Sequence, residues 1–530
     1  MTPAARAQRA AAIGARIAQL DALGGAWRPP KGRGASPIRA MFPELEAGRM
    51  ARRMANWTPS RSHVNTLIAA SGKTVLARSR YLTRNNVYAS SAVECFAANV
   101  IGTGIVPEWG QETPFKGGRK NAIETAWNGW CDEADIEGIT DLYGLQKRCA
   151  RELFIGGEAF IVRRPRFMGD MVSGVPLQLQ LLPSEQLPTE RNFIAGNGNR
   201  VRQGIEFDLA GRRVAYHFWK VHPGDITQAM EFGLITRTPA EDVIHLHDPV
   251  ESGQLRGLPK MTPAIVQLWE VDGYCDAERA RKKTAALFSV FIELQDTGDT
   301  FLGNIAREQG AKREEGSVTQ NSGGVTIDLA PASVHSLAQG EKVSVAAPAD
   351  VGPNYEAFMY RELTAFCAAV DLPYSAITAD VSKANYSSQR AALLEMRRRL
   401  ESLQYHVVIF QFCRRVSQWF LDAANIAGAL KLPGYAADPQ RYAVSLWTPP
   451  RWDWIDPLKD RQAEILAVAS GFKSRSSVIR AEGNDPVAVD EAIAADAQRA
   501  KDLGIEFAGA PPLKQLLSEP PPSDPEELHK

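Results

Sequence analysis

From Ser387 to about Ala423 the chain passes through helix-forming residues without one glycine or proline. A helix of that length constrains everything that must pack around it. Leu393, Met396, Leu400, Leu403, Val407 and Phe410 recur at alternating spacings of three and four, which predicts a single buried seam. Arg390, Arg397, Arg398 and Arg399 fall off that seam and leave a cationic face. The stretch just before it, with Asp380, Ser382, Lys383, Asn385 and Ser387, favours local side-chain-to-backbone hydrogen bonds and reads as a loop. Ser387 or Ser388 is the expected helix cap.

Upstream, 71–86 and 87–101 read as helices, the second stopped by Gly102-Thr-Gly104, and 123–133 and 141–153 as two more. Strands are expected at 158–164, 177–182, 201–208, 214–219 and 242–247, each short, rich in β-branched or aromatic residues and bounded by Gly, Pro or Asp. The fold class is therefore α+β. Pro263 opens a helix reaching about 292. A Gly-rich stretch follows over 293–350, with short strands at 325–329, 334–337 and 342–346, before a helix at 355–370. After the long helix come a strand at 442–447 and helices at 458–469, 474–481 and 486–504. The Ala/Arg-rich residues 1–55 read as a basic or amphipathic arm and the Pro-rich end as a disordered tail.

Lys+Arg and Asp+Glu are equal at 61 each, so the net charge is zero. A tight, sequence-specific DNA binder carries a basic surplus, which is missing here; loose electrostatic contact with DNA remains compatible. The six cysteines show no paired C-x-x-C or zinc spacing, consistent with buried reduced thiols. No uncharged apolar run reaches the roughly eighteen residues needed to span a bilayer.

Motifs that would carry chemistry are incomplete. Ser71-Gly-Lys-Thr74 resembles the end of a phosphate-binding loop, but the required upstream glycine position holds Leu67, so a helix start is expected instead. His245 and His247 share one strand face beside Asp248, without a third spaced ligand, and read as hydrogen-bonded histidines rather than a metal site. Asp453 and Asp456 flank Trp454 before Pro457 and suit a turn and helix start. No catalytic residue, cofactor or metal is expected.

Residues 380–390, DVSKANYSSQR, resemble the D-x-S-K-x-N-Y-S-S-x-R signature of lambda-type bacteriophage portal proteins. The resemblance extends to QLRGLP at 254–259 (the family's Q-x-R-G-x-P), to PRWDWIDP at 450–457, and to 81–107 with RNNVYA and NVIGTGI. The four blocks occur in order and together cover most of residues 80–490.

The resemblance implies a phage portal fold: an arm (1–55), an α/β wing (56–255), two stem helices (256–292 and 351–376) around a small β clip (293–350), a tunnel loop (377–388), a long tunnel helix (389–430), a return to the wing (431–456), a helical crown (457–505) and a tail (506–530). It also implies that Thr378, Asp380, Ser382, Lys383, Asn385 and Tyr386 border a DNA channel, with Arg390, Arg397 and Arg398 on the supporting helix. The implied assembly is a homo-oligomeric ring, commonly of twelve copies, at one capsid vertex of a virion, built in the host cytoplasm. Its partners would be a large terminase, the major capsid protein or scaffold, a head-tail adaptor, and double-stranded DNA held transiently and without sequence specificity. No membrane is involved. A soluble scaffold or adaptor that binds proteins and never touches DNA is the alternative. If the subunit repeats around a ring, Lys383 at the loop tip becomes a ring of charge that attracts DNA without reading its sequence.

Overall fold

The computed structural model describes residues 60–109, 118–227, 233–286, 290–293, 320–321, 324–325, 334–337, 354–382, 385–444, 446–450, 457–482 and 486–505. The chain divides into two units, Met1–Ser62 and His63–Lys530, and every described helix and strand belongs to the second. The expected arm and tail, residues 326–329 of the strand expected at 325–329, the strand at 342–346, and Lys383, Asp453 and Asp456 lie outside the described residues.

Helix α1, Val64–Asn85, begins where the His63 ring accepts a hydrogen bond from the Asn65 amide. Ser71-Gly-Lys-Thr74 therefore lies inside a helix rather than at its start. Ser71 simply returns its hydroxyl to the Leu67 carbonyl, and Gly72 is tolerated within the helix, as an isolated glycine can be. Asn86 then takes an extended backbone, ending α1, while its side-chain oxygen caps helix α2, Val87–Val100, through the amides of Tyr88 and Ala89. The side-chain nitrogen of Asn86 donates to Asp272 at 2.7 Å. One buried amide thus fixes a helix end, a helix start and a third element.

Strand β1, Val106–Glu108, leads to helices α3, Gly118–Cys131, and α4, Leu142–Gly156. Asp141 caps α4, and Gly157, in the left-handed region at φ 79°, stops it. Strands β2, Glu158–Pro165, and β3, Leu177–Pro183, pair antiparallel. A meander follows: β4, Phe193–Ile194; β5, Arg200–Arg202; β6, Ile205–Phe207; β7, Arg213–Trp219; and β8, Ile235–Pro239, in sequential order. The strand expected over 201–208 is in fact two strands, because Gln203 and Gly204 both take positive φ and turn the chain back. Strand β9, Val243–His247, joins the first sheet in the order β3-β2-β9.

Helix α5 spans Ile265–Ala286, with Pro263 in the 3₁₀ turn before it, and does not reach the expected 292, because residues 290–293 form a strand. Strand β10, Val290–Glu293, pairs in parallel with Val334–Leu337, and a two-residue ladder joins Gln320–Asn321 to Gly324–Val325. Helix α6, Asn354–Val370, packs back on α5 through Val271, Met359 and Leu363. Next come α7, Tyr374–Thr378, and α8, Tyr386–Leu403, which continues without a break into a π-helical stretch, Gln404–Cys413, and then α9, Arg414–Ala427. A 3₁₀ turn at Pro439–Tyr442 takes the first residue of the strand expected at 442–447, and the strand itself is the shorter Leu446–Thr448, paired with β1. Helices α10, Pro457–Ala469, α11, Arg475–Ala481, and α12, Pro486–Leu503, complete the described chain.

The main core joins α2, α4 and the π-helix–α9 run to the first sheet. Trp127 lies edge-on to Phe420 with ring centres 5.0 Å apart, next to Trp130 and Trp109. The Trp130 indole N–H is satisfied by the Leu177 carbonyl at 2.8 Å and that of Trp127 by the Tyr143 hydroxyl at 3.3 Å, whereas the buried Trp109 indole N–H has no partner among the described residues. All six cysteines are unpaired, four of them buried.

Candidate functional site

The segment from α7 to α8 folds around its own side chains. Thr378 donates its hydroxyl to the Tyr374 carbonyl, and Ala379, at φ 57°, closes α7. Asp380 Oδ1 accepts from the amide of Ser382 at 2.9 Å and from its hydroxyl at 2.6 Å, an Asx turn. Asn385, rather than either serine, caps α8: its Oδ1 accepts the Ser388 amide at 2.8 Å. Ser91 on α2 donates to the Ile377 carbonyl and anchors the near side of the loop. Val381 and Ser382 are exposed, and Tyr386 is the first residue of α8. On either side of residues 383–384 the described part of the loop is thus satisfied by its own side chains and anchored to α2.

On α8, Met396 and Leu400 are buried and Leu393 and Leu403 are partly so; Val407 on the π-helix is also buried. Phe410 is not. It stands 62% exposed, with the Arg414 guanidinium 5.6 Å from its ring centre. The reason is the π-helix: its wider turn advances the face more slowly, so Val408, Ile409, Phe412 and Cys413 turn inward instead. Arg390 and Arg397 are half-buried, while Arg398 is exposed beside Glu395 at 3.4 Å. Arg399 pairs with Asp371, which also holds Lys260 at 2.6 Å. Burial opposes ionisation of Asp371, but the two cations outweigh it and hold its carboxyl below the usual range.

Two glutamines lock the π-helix in place. Gln404, fully buried, donates to the Val100 carbonyl at 2.8 Å at the end of α2. Gln411 accepts the His247 amide at 3.1 Å and donates to the His247 carbonyl at 3.0 Å. Because β9 is an edge strand, this primary amide takes the place of the missing neighbouring strand.

The QLRGLP block encloses a buried ionic cluster that sequence reasoning did not find. Arg256 and Glu158 are 2% and 0% exposed. The Arg256 guanidinium donates to Glu158 Oε1 at 2.8 and 2.5 Å and to the carbonyls of Leu187, Gln203 and Ser184. Glu158 also accepts from the Ser184 hydroxyl at 2.6 Å and the Gly257 amide at 2.8 Å. Gln254 donates to the Arg256 carbonyl. Here the backbones of 157 and 257 touch: a Cβ on Gly257 would sit 2.1 Å from the Gly157 carbonyl oxygen. The motif thus joins the end of the sheet to the start of α5. The motif marked Arg256, but its partner Glu158 is 98 residues away and carries no local signal.

His245 donates from Nε2 to Glu158 Oε2 at 2.9 Å and receives Arg213 at Nδ1, which suits the neutral ring. His247 stacks on it at 4.1 Å. Burial, then the neighbouring His247, pushes His245 down to about 3, and His247 and His217 are lowered mainly by burial as well. Glu158 is also lowered: its burial opposes ionisation, but Arg256 and His245 overcome it. A group with a depressed pKa contributes stability that is complete above its unfolded value and fades as pH falls towards its folded one. The urea midpoint should therefore begin to drop below about pH 6.5, where the unfolded histidines protonate, and fall faster below about 4.5 as Glu158 joins. His245→Gln should flatten the upper part of that decline. A midpoint constant from pH 7 to 5 would refute the buried neutral histidine. No group of three or more metal-ligating side chains occurs among the described residues, and no described helix is long and apolar enough to cross a membrane.

Residues 50–404 match the model of a family described as phage portal protein, lambda family. The probable portal protein of Halomonas phage phiHAP-1 is 24% identical over 92% of this chain and 93% of its own length. Portal protein B of Escherichia phage lambda is 22% identical over 82% and 85% respectively. A chain from the neck of a native GTA particle aligns over 77% of this chain and 94% of its own, with a TM-score of 0.41 and 15% identity. With a match covering two-thirds of its length, the chain belongs to the lambda family of phage portal proteins.

Proposed function

We propose that copies of this chain close into a ring at one vertex of a capsid, and that double-stranded DNA enters and leaves through the central channel. Family membership over residues 50–404 carries this reading. The segments 56–255, 256–292 with 351–376, 293–350 and 457–505 take the parts of wing, stem, clip and crown. A terminase drives the DNA, a capsid or scaffold protein seats the ring, and a head-tail adaptor binds its outer end. A ring of twelve chains would weigh about 696 kDa, from 58.0 kDa each.

Within this reading, residues 378–386 face the channel. Asp380 and Asn385 satisfy their own backbone, while Lys383 supplies a cation per subunit. A neutral chain suits this role, because DNA must slide rather than bind, and a few screened charges attract without holding. Lys383→Ala should leave ring mass unchanged but lower the yield of DNA-filled particles. An unaltered yield would remove that lysine from the mechanism.

A further inference from the structure

We propose that, in the ring on which this contact depends, the outer face of α5 in one copy receives the outer face of α6 from the next, with Trp269 as the anchor. Val271 on α5 faces Met359 and Leu363 on α6. Two residues either side of Val271 the helix has turned about 200°, so Trp269 and Gly273 point away from α6. Trp269 is 57% exposed and Val266 60%. With Tyr81, whose ring meets Trp269 edge-on at 5.9 Å, they border a groove of about 600 Å³ between α1 and α5, floored by Leu82 and Ile265. An exposed tryptophan beside such a groove is the usual anchor of a protein contact.

The same geometry on α6 turns Ala357, Arg361, Thr364, Ala365 and Ala368 outward, all exposed. One outer face is bulky; the other is mostly small residues around one cation, flanked by Phe358, which is 42% exposed. Both lie on opposite sides of one two-helix layer, so contact between them is heterologous and propagates around a ring. Charge agrees: Glu270 on α5 and Arg361 on α6 are exposed, and neither has an ion pair among the described residues.

Height agrees too. The Cys275 sulfur lies 3.5 Å from the Tyr355 hydroxyl, and the Gln267 amide 2.5 Å from the Glu362 carboxylate, so Trp269 is level with Arg361. A copy generated by rotation about an axis along the helix pair keeps every residue at its own height. Trp269 therefore meets the turn holding Arg361 and Ala365, with the guanidinium placed to lie over the indole.

Native mass measurement on the full chain tests this. Wild type should give a closed ring. Trp269→Glu, and separately Ala365→Trp, should lose the ring peak while keeping the wild-type circular dichroism of the monomer. Glu270→Arg and Arg361→Glu should each lower the ring fraction severalfold, and the double variant should restore it. Wild-type rings from both Trp269→Glu and Ala365→Trp would overturn this interface while leaving the ring itself standing. If either bulky variant fails to fold, charge-reversed singles that assemble like wild type overturn it equally. A wild-type chain that stays monomeric, alone and with its capsid protein, would overturn the ring and this contact together.

Discussion

Arg256→Ala is expected to lower the free energy of unfolding by roughly 3–5 kcal/mol, because it leaves Glu158 charged and buried without its counter-ion. The guanidinium does more than balance charge. It also serves the carbonyls of Leu187, Gln203 and Ser184, each of which loses a donor in the variant. Urea titration at pH 7 measures the loss. The double variant Glu158→Gln/Arg256→Met should cost less than Arg256→Ala alone, since no uncompensated charge remains. Equal losses would mean that the packing of the side chain, and not the ion pair, dominates. Arg256→Lys should not rescue, because one ammonium cannot reach a carboxylate and three carbonyls in the geometry of a planar fork.

Gly157→Ala should be nearly as damaging, at about 3 kcal/mol or more, the upper range of overpacking costs. Two penalties coincide there. The residue sits at φ 79°, and a Cβ would lie 2.1 Å from the Leu258 carbonyl carbon. That neighbour is backbone, so no rotamer change relieves the clash. The damage should be local to the join of sheet and α5, visible as faster amide exchange in β2 and β9 than in α9. Wild-type stability in this variant would mean that the two strands of backbone can part without loss.

These two sites show where sequence reading stops. The boundaries of α2, α4, α6 and α10 to α12 follow from helix formers between cap and stop residues, and β2, β3, β7 and β9 from short apolar runs between turn residues. Such signals are local, so they survive without a fold. The family signature also marked residues 254–259 and 380–390, though not what those residues touch.

What the sequence determined by itself was the alternation of elements, the polar loop before the long helix, and the family. Tertiary structure alone decided the pairing of Glu158 with Arg256 and His245, because a buried ion pair is selected by burial and not by spacing. It also decided the turn at Gln203 and Gly204, and the exposure of Phe410. A regular three-four repeat assigns Phe410 to the seam, but Gln404 and Gln411 bind the end of α2 and the edge of β9. Meeting both partners goes with a π-helical turn that carries Phe410 outward, because satisfying buried backbone groups outweighs burying one more ring.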